Sequence, residues 1–331
     1  MKSLVTGGAG FIGSHLCEAL LEAGHEVLAL DDFSTGRHQN IAHLEGRQGF
    51  QLICASVTDA ETTRECVRGV DRVFHLASAV GVQLIVREPV RTIETIVDGA
   101  AAVFNACARY RKPVLITSTS EVYGKSTKVP FAETDDLVIG PPTFRRWSYA
   151  TAKAVDEFLA LAHWHHSRLG VVIARLFNTV GPRQSGQYGM VVPRFVRQAL
   201  LHRPITVYGD GTQTRSFCHV GDVVGAVMRL LDTPSAFGEV FNLGNDQEVS
   251  IRQLAETIRT MTQSRSEIVL VPYQEAYGAG FEDMERRVPD LAKARRWIGY
   301  EPRHSLKQTL EDVIQYVRSQ LDSEPEVASE D

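Results

Sequence analysis

Short apolar runs alternate with longer amphipathic stretches over the first half of the chain. Segments 2–6, 26–31, 50–54, 72–76, 113–118 and 171–175 are rich in Val, Leu and Ile and too short for typical helices. Between them, near 14–23, 60–68, 91–109 and 149–168, apolar residues recur at helical spacing. Strands that read as nearly continuous apolar runs are covered on both faces, which is the condition of a parallel sheet flanked by helices. Right-handed crossovers make such a sheet doubly wound, with ligands at the carboxyl ends of its strands.

Beyond residue 180 the pattern shortens and is punctuated by Gly181-Pro182, Pro193, Pro204, Gly209-Asp210-Gly211, Pro234 and Pro272. The expected organisation is a doubly wound α/β domain over 1–180 and a smaller α/β lobe, mainly over 181–322. The acidic stretch 323–331 is poor in large apolar residues and reads as disordered.

Composition narrows the classes. The chain has 331 residues, 44% of them hydrophobic, enough for a large core. Its net charge of −5, with no basic stripe, argues against a nucleic-acid partner. No apolar run approaches the roughly 18 residues of a membrane span. Met1-Lys2 leads straight into the first strand, so a cytoplasmic location is expected. Cys17, Cys54, Cys66, Cys107 and Cys218 show no metal-ligand spacing and read as buried thiols. His163-Trp164-His165-His166 lacks a carboxylate at matching spacing, so no metal is expected there.

Candidate chemistry begins at once. The first apolar run enters Gly7-Gly8-Ala9-Gly10-Phe11-Ile12-Gly13. Gly7 allows a tight turn, Gly10 lets backbone approach a pyrophosphate, and Gly13 lets the next helix pack closely, as in a Rossmann dinucleotide site. That helix points its positive end at the phosphates. The second strand ends in Asp31-Asp32, about 20 residues on, where an acid binds ribose hydroxyls and repels a 2′-phosphate. NAD is therefore expected rather than NADP, although Arg37 lies close by.

Tyr149 and Lys153 stand four apart on a predicted helix and share a face. A lysine beside a tyrosine favours tyrosinate, which can take a proton from a substrate hydroxyl. Ser118-Thr119-Ser120 closes a strand upstream.

With these motifs the chain resembles the extended short-chain dehydrogenases that modify nucleotide sugars. The resemblance also rests on His75-Leu76-Ala77, Ser118-Thr119-Ser120-Glu121-Val122-Tyr123-Gly124 and Arg175-Leu176-Phe177-Asn178-Thr179-Val180-Gly181-Pro182-Arg183. It continues through Val207-Tyr208-Gly209-Asp210-Gly211-Thr212-Gln213-Thr214-Arg215 and Arg286-Arg287-Val288-Pro289-Asp290. It implies a bound NAD held by Gly7, Gly10, Phe11, Ile12, Gly13, Asp31, Asp32, Ser34, Gly36, Leu76, Ala77 and Lys153. It also implies transient oxidation of the sugar at C4, with Tyr149 as base and Lys153 lowering its pKa. Thr119 would sit on the 4-oxygen, and Ser120, Asn178, Tyr208, Arg215 and Arg287 would bind the substrate.

Three reactions follow a 4-keto intermediate in this family: decarboxylation of UDP-glucuronate to UDP-xylose, 4-epimerisation of a UDP-sugar, and 4,6-dehydration. Glu121 suits proton chemistry or water positioning at C5. Ser120 stands where glucose 4,6-dehydratases carry an acidic Asp, although mannose-type dehydratases share Ser-Glu. Arg286-Arg287-Val288-Pro289-Asp290 resembles the Arg-x-Pro-Asp segment of UDP-glucuronate decarboxylases, so decarboxylation ranks first. Departures from those enzymes lie at Ser78-Ala79-Val80-Gly81-Val82, at Arg145-Arg146-Trp147-Ser148 ahead of Tyr149, and at Ala150; they look more like epimerases. A catalytically silent NAD-binding regulator is the alternative of a different class, against which Thr119, Tyr149 and Lys153 all stand. The family packs the helices near 91–109 and 149–168 across a two-fold axis. That implies a homodimer through a four-helix contact, here built from Ile93, Ile96, Val97, Val103, Phe104, Val155, Phe158, Leu159 and Leu161.

Overall fold

The computed structural model describes residues 1–78, 88–186, 190–277 and 284–323. The first half alternates β1 (Lys2–Thr6), α1 (Phe11–Glu22), β2 (Glu26–Asp31), β3 (Phe50–Cys54), α2 (Ala60–Arg68) and β4 (Arg72–His75). It continues with α3 (Pro89–Tyr110), β5 (Val114–Thr119), α4 (Ser148–Ser167), β6 (Val171–Leu176) and β7 (Thr179–Val180). Each of the ten predicted elements is present, with ends displaced by at most three residues. The largest displacement is at α1, which starts at Phe11 because Gly10, extended at φ −72° and ψ 177°, serves as its N-cap.

Then follow α5 (Val191–Leu200), β8 (Ile205–Tyr208), β9 (Thr214–Ser216), β10 (Cys218–His219), α6 (Val220–Leu231), β11 (Glu239–Leu243) and β12 (Glu248–Ser250). The described part ends with α7 (Ile251–Met261), β13 (Ile268–Val271), α8 (Tyr273–Tyr277), α9 (Ala292–Ile298) and α10 (Leu306–Ser323). The acidic segment 324–331 and loop positions 79–82 lie outside the described residues; Ser323 closes α10 rather than opening a tail.

Seven strands form one parallel sheet in the order β11-β6-β5-β4-β1-β2-β3. The order reverses beside β1, and the crevice at such a reversal is where ligands bind. Apolar side chains cover both faces. Leu16, Leu20, Val223 and Val227 form one layer with α1 and α6. Val67, Val103, Phe104 and Ala160 form the other with α2, α3 and α4. A third core, around Phe195, Val207, Leu254 and Val313, holds the C-terminal lobe together. Fully burying one such side chain contributes roughly 1.5–3 kcal/mol.

A division at residue 180 needs a correction. Segment 220–243 returns to the large sheet, with α6 on one face and β11 as the edge strand paired to β6. Leu291, Ala294 and Tyr300, around α9, also pack into the core of that sheet, so the chain crosses between the two parts more than once.

Candidate active site

The carboxyl ends of β1, β2, β4, β5 and β6 open into one cavity of about 430 Å3 that runs on into the C-terminal lobe. Gly7, Gly10, Phe11, Ile12, Gly13, Asp31, Asp32, Ser34, Leu76 and Ala77 line its first part. Gly7 lies at φ +71°, and a Cβ there would stand 2.9 Å from the backbone nitrogen of Ala77. A Cβ on Gly13 would stand 2.0 Å from the carbonyl oxygen of Gly7, so α1 docks only because that atom is missing. The result is a backbone cradle at a helix N-terminus, shaped for a pyrophosphate.

Asp31 does more than face a ribose. Its carboxylate accepts from the backbone N–H of Ala9 at 2.9 Å and of Phe33 at 2.8 Å, tying the glycine turn to the end of β2. Burial raises its pKa, and these hydrogen bonds oppose the rise. A carboxylate accepts about four hydrogen bonds, which leaves capacity toward the cavity. Asp32 is exposed and accepts from the Ser34 N–H at 2.9 Å. Gly36 does not line the cavity; it packs behind it, where a Cβ would meet an Asp31 carboxylate oxygen at 2.7 Å. Asn40, unnoticed in the sequence, supports the turn by donating to the Ala9 carbonyl at 2.9 Å. These features fit NAD.

Tyr149 and Lys153 lie on the first turns of α4, both buried and both facing the cavity. The expected lowering of the tyrosine pKa by Lys153 is not what the geometry gives. The Lys153 ammonium donates to Asp156 Oδ2 at 2.9 Å, within a pair whose two side chains are 3% and 1% exposed. The Tyr149 phenol is instead held above its ordinary value by burial, then by the charges of Glu121 and Asp156. Hydrogen bonds to Thr119 and Ser78 work against the rise. Beneath them, Glu157 accepts from Ser118 and takes Arg175 through two nitrogens, at 2.9 and 2.7 Å, locking α4 to β5 and β6.

Thr119 is the last residue of β5, and its hydroxyl accepts from the Glu121 N–H at 3.2 Å. That bond starts a short 3-10 turn, Ser120–Tyr123, and sends the Glu121 carboxylate into the cavity. One Glu121 oxygen pairs with Arg146, and the other lies 3.4 Å from Arg287 Nη1. Burial alone would raise the Glu121 pKa, but Arg146, Arg287 and then Arg215 pull it down to about 2. Glu121 is thus a carboxylate at neutral pH. The buried Ser120 hydroxyl also lines the cavity.

In the lobe, Arg215 on β9 is buried rather than a solvated turn charge. It donates to the carbonyl of Thr214 at 2.7 Å and reaches that of Glu285 at 3.3 Å. Asn178 adopts φ +38°, which Asn tolerates, and its amide donates to the Ser216 carbonyl at 2.8 Å. Tyr208 lines the wall beneath Arg194, whose guanidinium carbon sits 3.8 Å from the ring centroid. Arg146, Arg183 and Arg194 all line the cavity and were not read from the sequence as site residues. Arg183 spans to α1, donating to Glu18 at 2.8 Å.

Elsewhere, Cys218 is buried beside the Tyr300 hydroxyl at 3.3 Å, and burial pushes its thiol up to about 12, which suits an inert core residue. Cys54 is exposed on the edge strand, against the expectation that all five thiols are buried. His163 packs on Phe104 with ring centroids 5.7 Å apart.

Comparison with known proteins agrees with this geometry. The family model for GDP-mannose 4,6-dehydratase matches residues 4–313. A UDP-N-acetyl-α-D-glucosaminuronate decarboxylase from Bacillus cytotoxicus is 41% identical over 96% of this chain and 98% of its own. UDP-glucuronic acid decarboxylase 1 from Danio rerio is 36% identical over 97% of this chain and 73% of its own. A solved UDP-glucuronic acid 4-epimerase from Bacillus cereus, in complex with UDP-glucuronic acid and NAD, superposes with a TM-score of 0.86. It is 28% identical and covers 97% of this chain and 100% of its own. The chain belongs to the GDP-mannose 4,6-dehydratase family, among the NAD-dependent extended short-chain dehydrogenases that convert nucleotide sugars.

Proposed function

We propose that the protein decarboxylates a UDP-linked uronic acid, with UDP-glucuronate giving UDP-xylose as the leading case. The observation that carries this reading is the ion triad at the end of β5. Arg287, brought from the far end of the sequence, meets Glu121 and Arg146 in a buried site two residues from Thr119. A cationic wall beside the reacting carbons suits a substrate with a carboxylate at C6. Relatives at 36–41% identity, matched over 96–97% of this chain, carry decarboxylase names and support it.

Bound at the glycine turn, NAD would accept hydride from C4 of the sugar and return it. Tyr149 acts as its tyrosinate, which the positive nicotinamide ring of a bound NAD would favour, and takes the C4 hydroxyl proton, with Thr119 hydrogen-bonded to the same oxygen. The sugar then carries a ketone β to its carboxylate. When the C5–C6 bond breaks, carbon dioxide leaves and the electron pair moves onto the C4 oxygen. Tyr149 and Thr119 stabilise that oxyanion by hydrogen bonds. Glu121 orients a water that gives its proton to C5, and the hydroxide left behind takes a proton from solvent, which supplies the one proton the overall reaction consumes. Tyr149 finally gives its proton back to the C4 oxygen. Lys153 has three donors, of which Asp156 takes one, and the others would be available to the ribose of a bound NAD. Asn178, Tyr208 and Arg215 hold the uridine diphosphate end.

The 41% identity to the Bacillus cytotoxicus enzyme favours a second substrate reading, the 2-acetamido uronate. Both readings predict release of C6. UDP-glucuronate and its 2-acetamido analogue labelled with carbon-13 at C6 should yield labelled carbon dioxide on incubation with the protein and NAD. Retention of the label in an inverted uronic acid would move the reading to 4-epimerase.

Two further assignments belong to this proposal. Val90, Ile93, Val155 and Phe158 are exposed on α3 and α4, and they support a homodimer through those helices. Five unpaired cysteines are consistent with the cytoplasm, and no helix among the described residues is long and apolar enough to cross a membrane.

A further inference from the structure

We propose that Ser78 is a positioning residue for the reaction: its hydroxyl donates to the ionised oxygen of Tyr149 while the sugar occupies Thr119. This rests on the reading of Tyr149 as the base for oxidation at C4, and it gives that base a partner of its own.

Ser78 follows β4, and the turn that carries it is tied down from behind. The Ala77 N–H donates to the Thr6 hydroxyl at 3.2 Å, and the same hydroxyl meets His75 Nδ1 at 2.8 Å. Thr6 and His75 are buried and face each other across β1 and β4. Ser78 therefore leaves the sheet at a fixed point, and it lines the cavity together with Thr119 and Tyr149. Tyr149 itself packs with Ile96 and Ala152 in a small apolar cluster, so a charge on its oxygen depends on polar groups in the cavity wall.

The supply of donors to that oxygen is short. A hydroxyl has one proton to donate and two lone pairs with which to accept. Thr119 already accepts from the Glu121 N–H at 3.2 Å. Its single proton can go to the Tyr149 oxygen or to the 4-oxygen of the sugar, but not to both. The Lys153 ammonium is engaged by Asp156 at 2.9 Å. Once the sugar takes the Thr119 proton, the tyrosinate needs another donor. The Ser78 oxygen is buried and makes no hydrogen bond of full geometry among the described residues, so its proton is uncommitted. It stands close enough to the phenol to act on it, in the direction that favours tyrosinate. Hydrogen bonds in a catalytic site are often long before substrate arrives and tighten in the complex.

The test is the pH dependence of turnover of UDP-glucuronate, and of its 2-acetamido analogue, by the NAD-supplemented protein and by Ser78→Ala and Ser78→Thr. The profile of kcat/KM reports ionisation before substrate binds, and that of kcat reports it in the complex. Before binding, both hydroxyls serve the tyrosinate; in the complex only Ser78 does. Ser78→Ala should therefore move the rising limb of kcat to higher pH by about one unit, and that of kcat/KM by clearly less. Ser78→Thr, which keeps the hydroxyl, should restore both limbs. UDP binding, measured calorimetrically, should change by less than about threefold in either variant. Equal displacement of the two limbs, or a kcat limb that stays in place, would overturn the assignment. If Ser78→Ala no longer binds UDP, the comparison passes to Ser78→Cys, a weaker donor. There a displaced kcat limb supports the assignment and an unmoved one overturns it. Failure of the unsubstituted protein to turn over either sugar would overturn the reading of Tyr149 as base, and this assignment with it.

Discussion

Asp156 places a buried carboxylate one turn beyond Lys153, on the same face of α4 as the tyrosine. It binds the ammonium that was expected to activate Tyr149, and its own charge adds to the rise of the phenol. The groups that act on Tyr149 are then Glu121 and Asp156, which oppose ionisation, and Thr119 and Ser78, which favour it. His75 lies near Lys153 and is neutral, since burial pushes its imidazole down to about 3. Replacing Asp156 by Asn removes one charge that opposes tyrosinate. The rising limb of the pH–rate profile should therefore move to lower pH, and the rate near neutrality should increase by roughly a few-fold. A limb that stays in place would contradict this account of the tyrosine. Glu121 supplies no such limb, because it stays ionised down to about pH 2. Its folded pKa lies below the ordinary 4.5, so the ion triad stabilises the fold above that value. The contribution fades as pH falls toward 2. Tyr149 and Lys153 could be read from the sequence because helical spacing alone brings them together. The same rule would have found Asp156, at i+3 from Lys153, but not Arg146, which lies ahead of α4 on the short turn Arg145–Trp147. Arg194 offered no such signal, since its place over Tyr208 depends on how α5 packs against β8.

At the scale of elements, apolar periodicity was informative wherever the chain alternates strand and helix. Buried strands must be continuous apolar runs, and the covering helices must be amphipathic, so the ten elements of the first half follow from pattern alone. β11 was missed because a short run, Glu239–Leu243, looks irregular until β6 supplies its partner. Pairing of that kind, across more than 60 residues, leaves no local trace. The faces of α3 and α4 also divide in a way periodicity alone could not reveal. Ile96, Val103 and Phe104 are buried within the chain, whereas Ile93 and Phe158 are 41% and 71% exposed. Phe158→Glu should split the proposed dimer while sparing the fold, because that side chain touches little of its own chain. Sedimentation velocity should then show the mass falling from two chains to one. A monomeric unsubstituted protein, or an unchanged dimer in the variant, would contradict the interface.

At the scale of the whole molecule, the charge distribution matters more than its sum. The chain is acidic overall, yet Arg146, Arg183, Arg194, Arg215, Arg287 and Lys153 all line one cavity. Such a cavity concentrates positive potential where a nucleotide sugar with several negative charges must sit. The sheet order brings the glycine turn of β1, the Thr119–Glu121 turn of β5 and the Asn178 turn of β6 to one rim. The lobe then brings Arg215 and Arg287 against it from the other side. That convergence explains why a family could be read from motifs while the contact between Glu121 and Arg287, 166 positions apart, could not. The central claim is that C6 is lost after oxidation at C4 and that C5 is then protonated from solvent. It is tested most directly by proton NMR of UDP-glucuronate incubated with the protein and NAD in deuterium oxide. The account predicts a UDP-pentose carrying one deuterium at C5. A UDP-uronic acid inverted at C4, with all its carbons and no deuterium at C5, would contradict it.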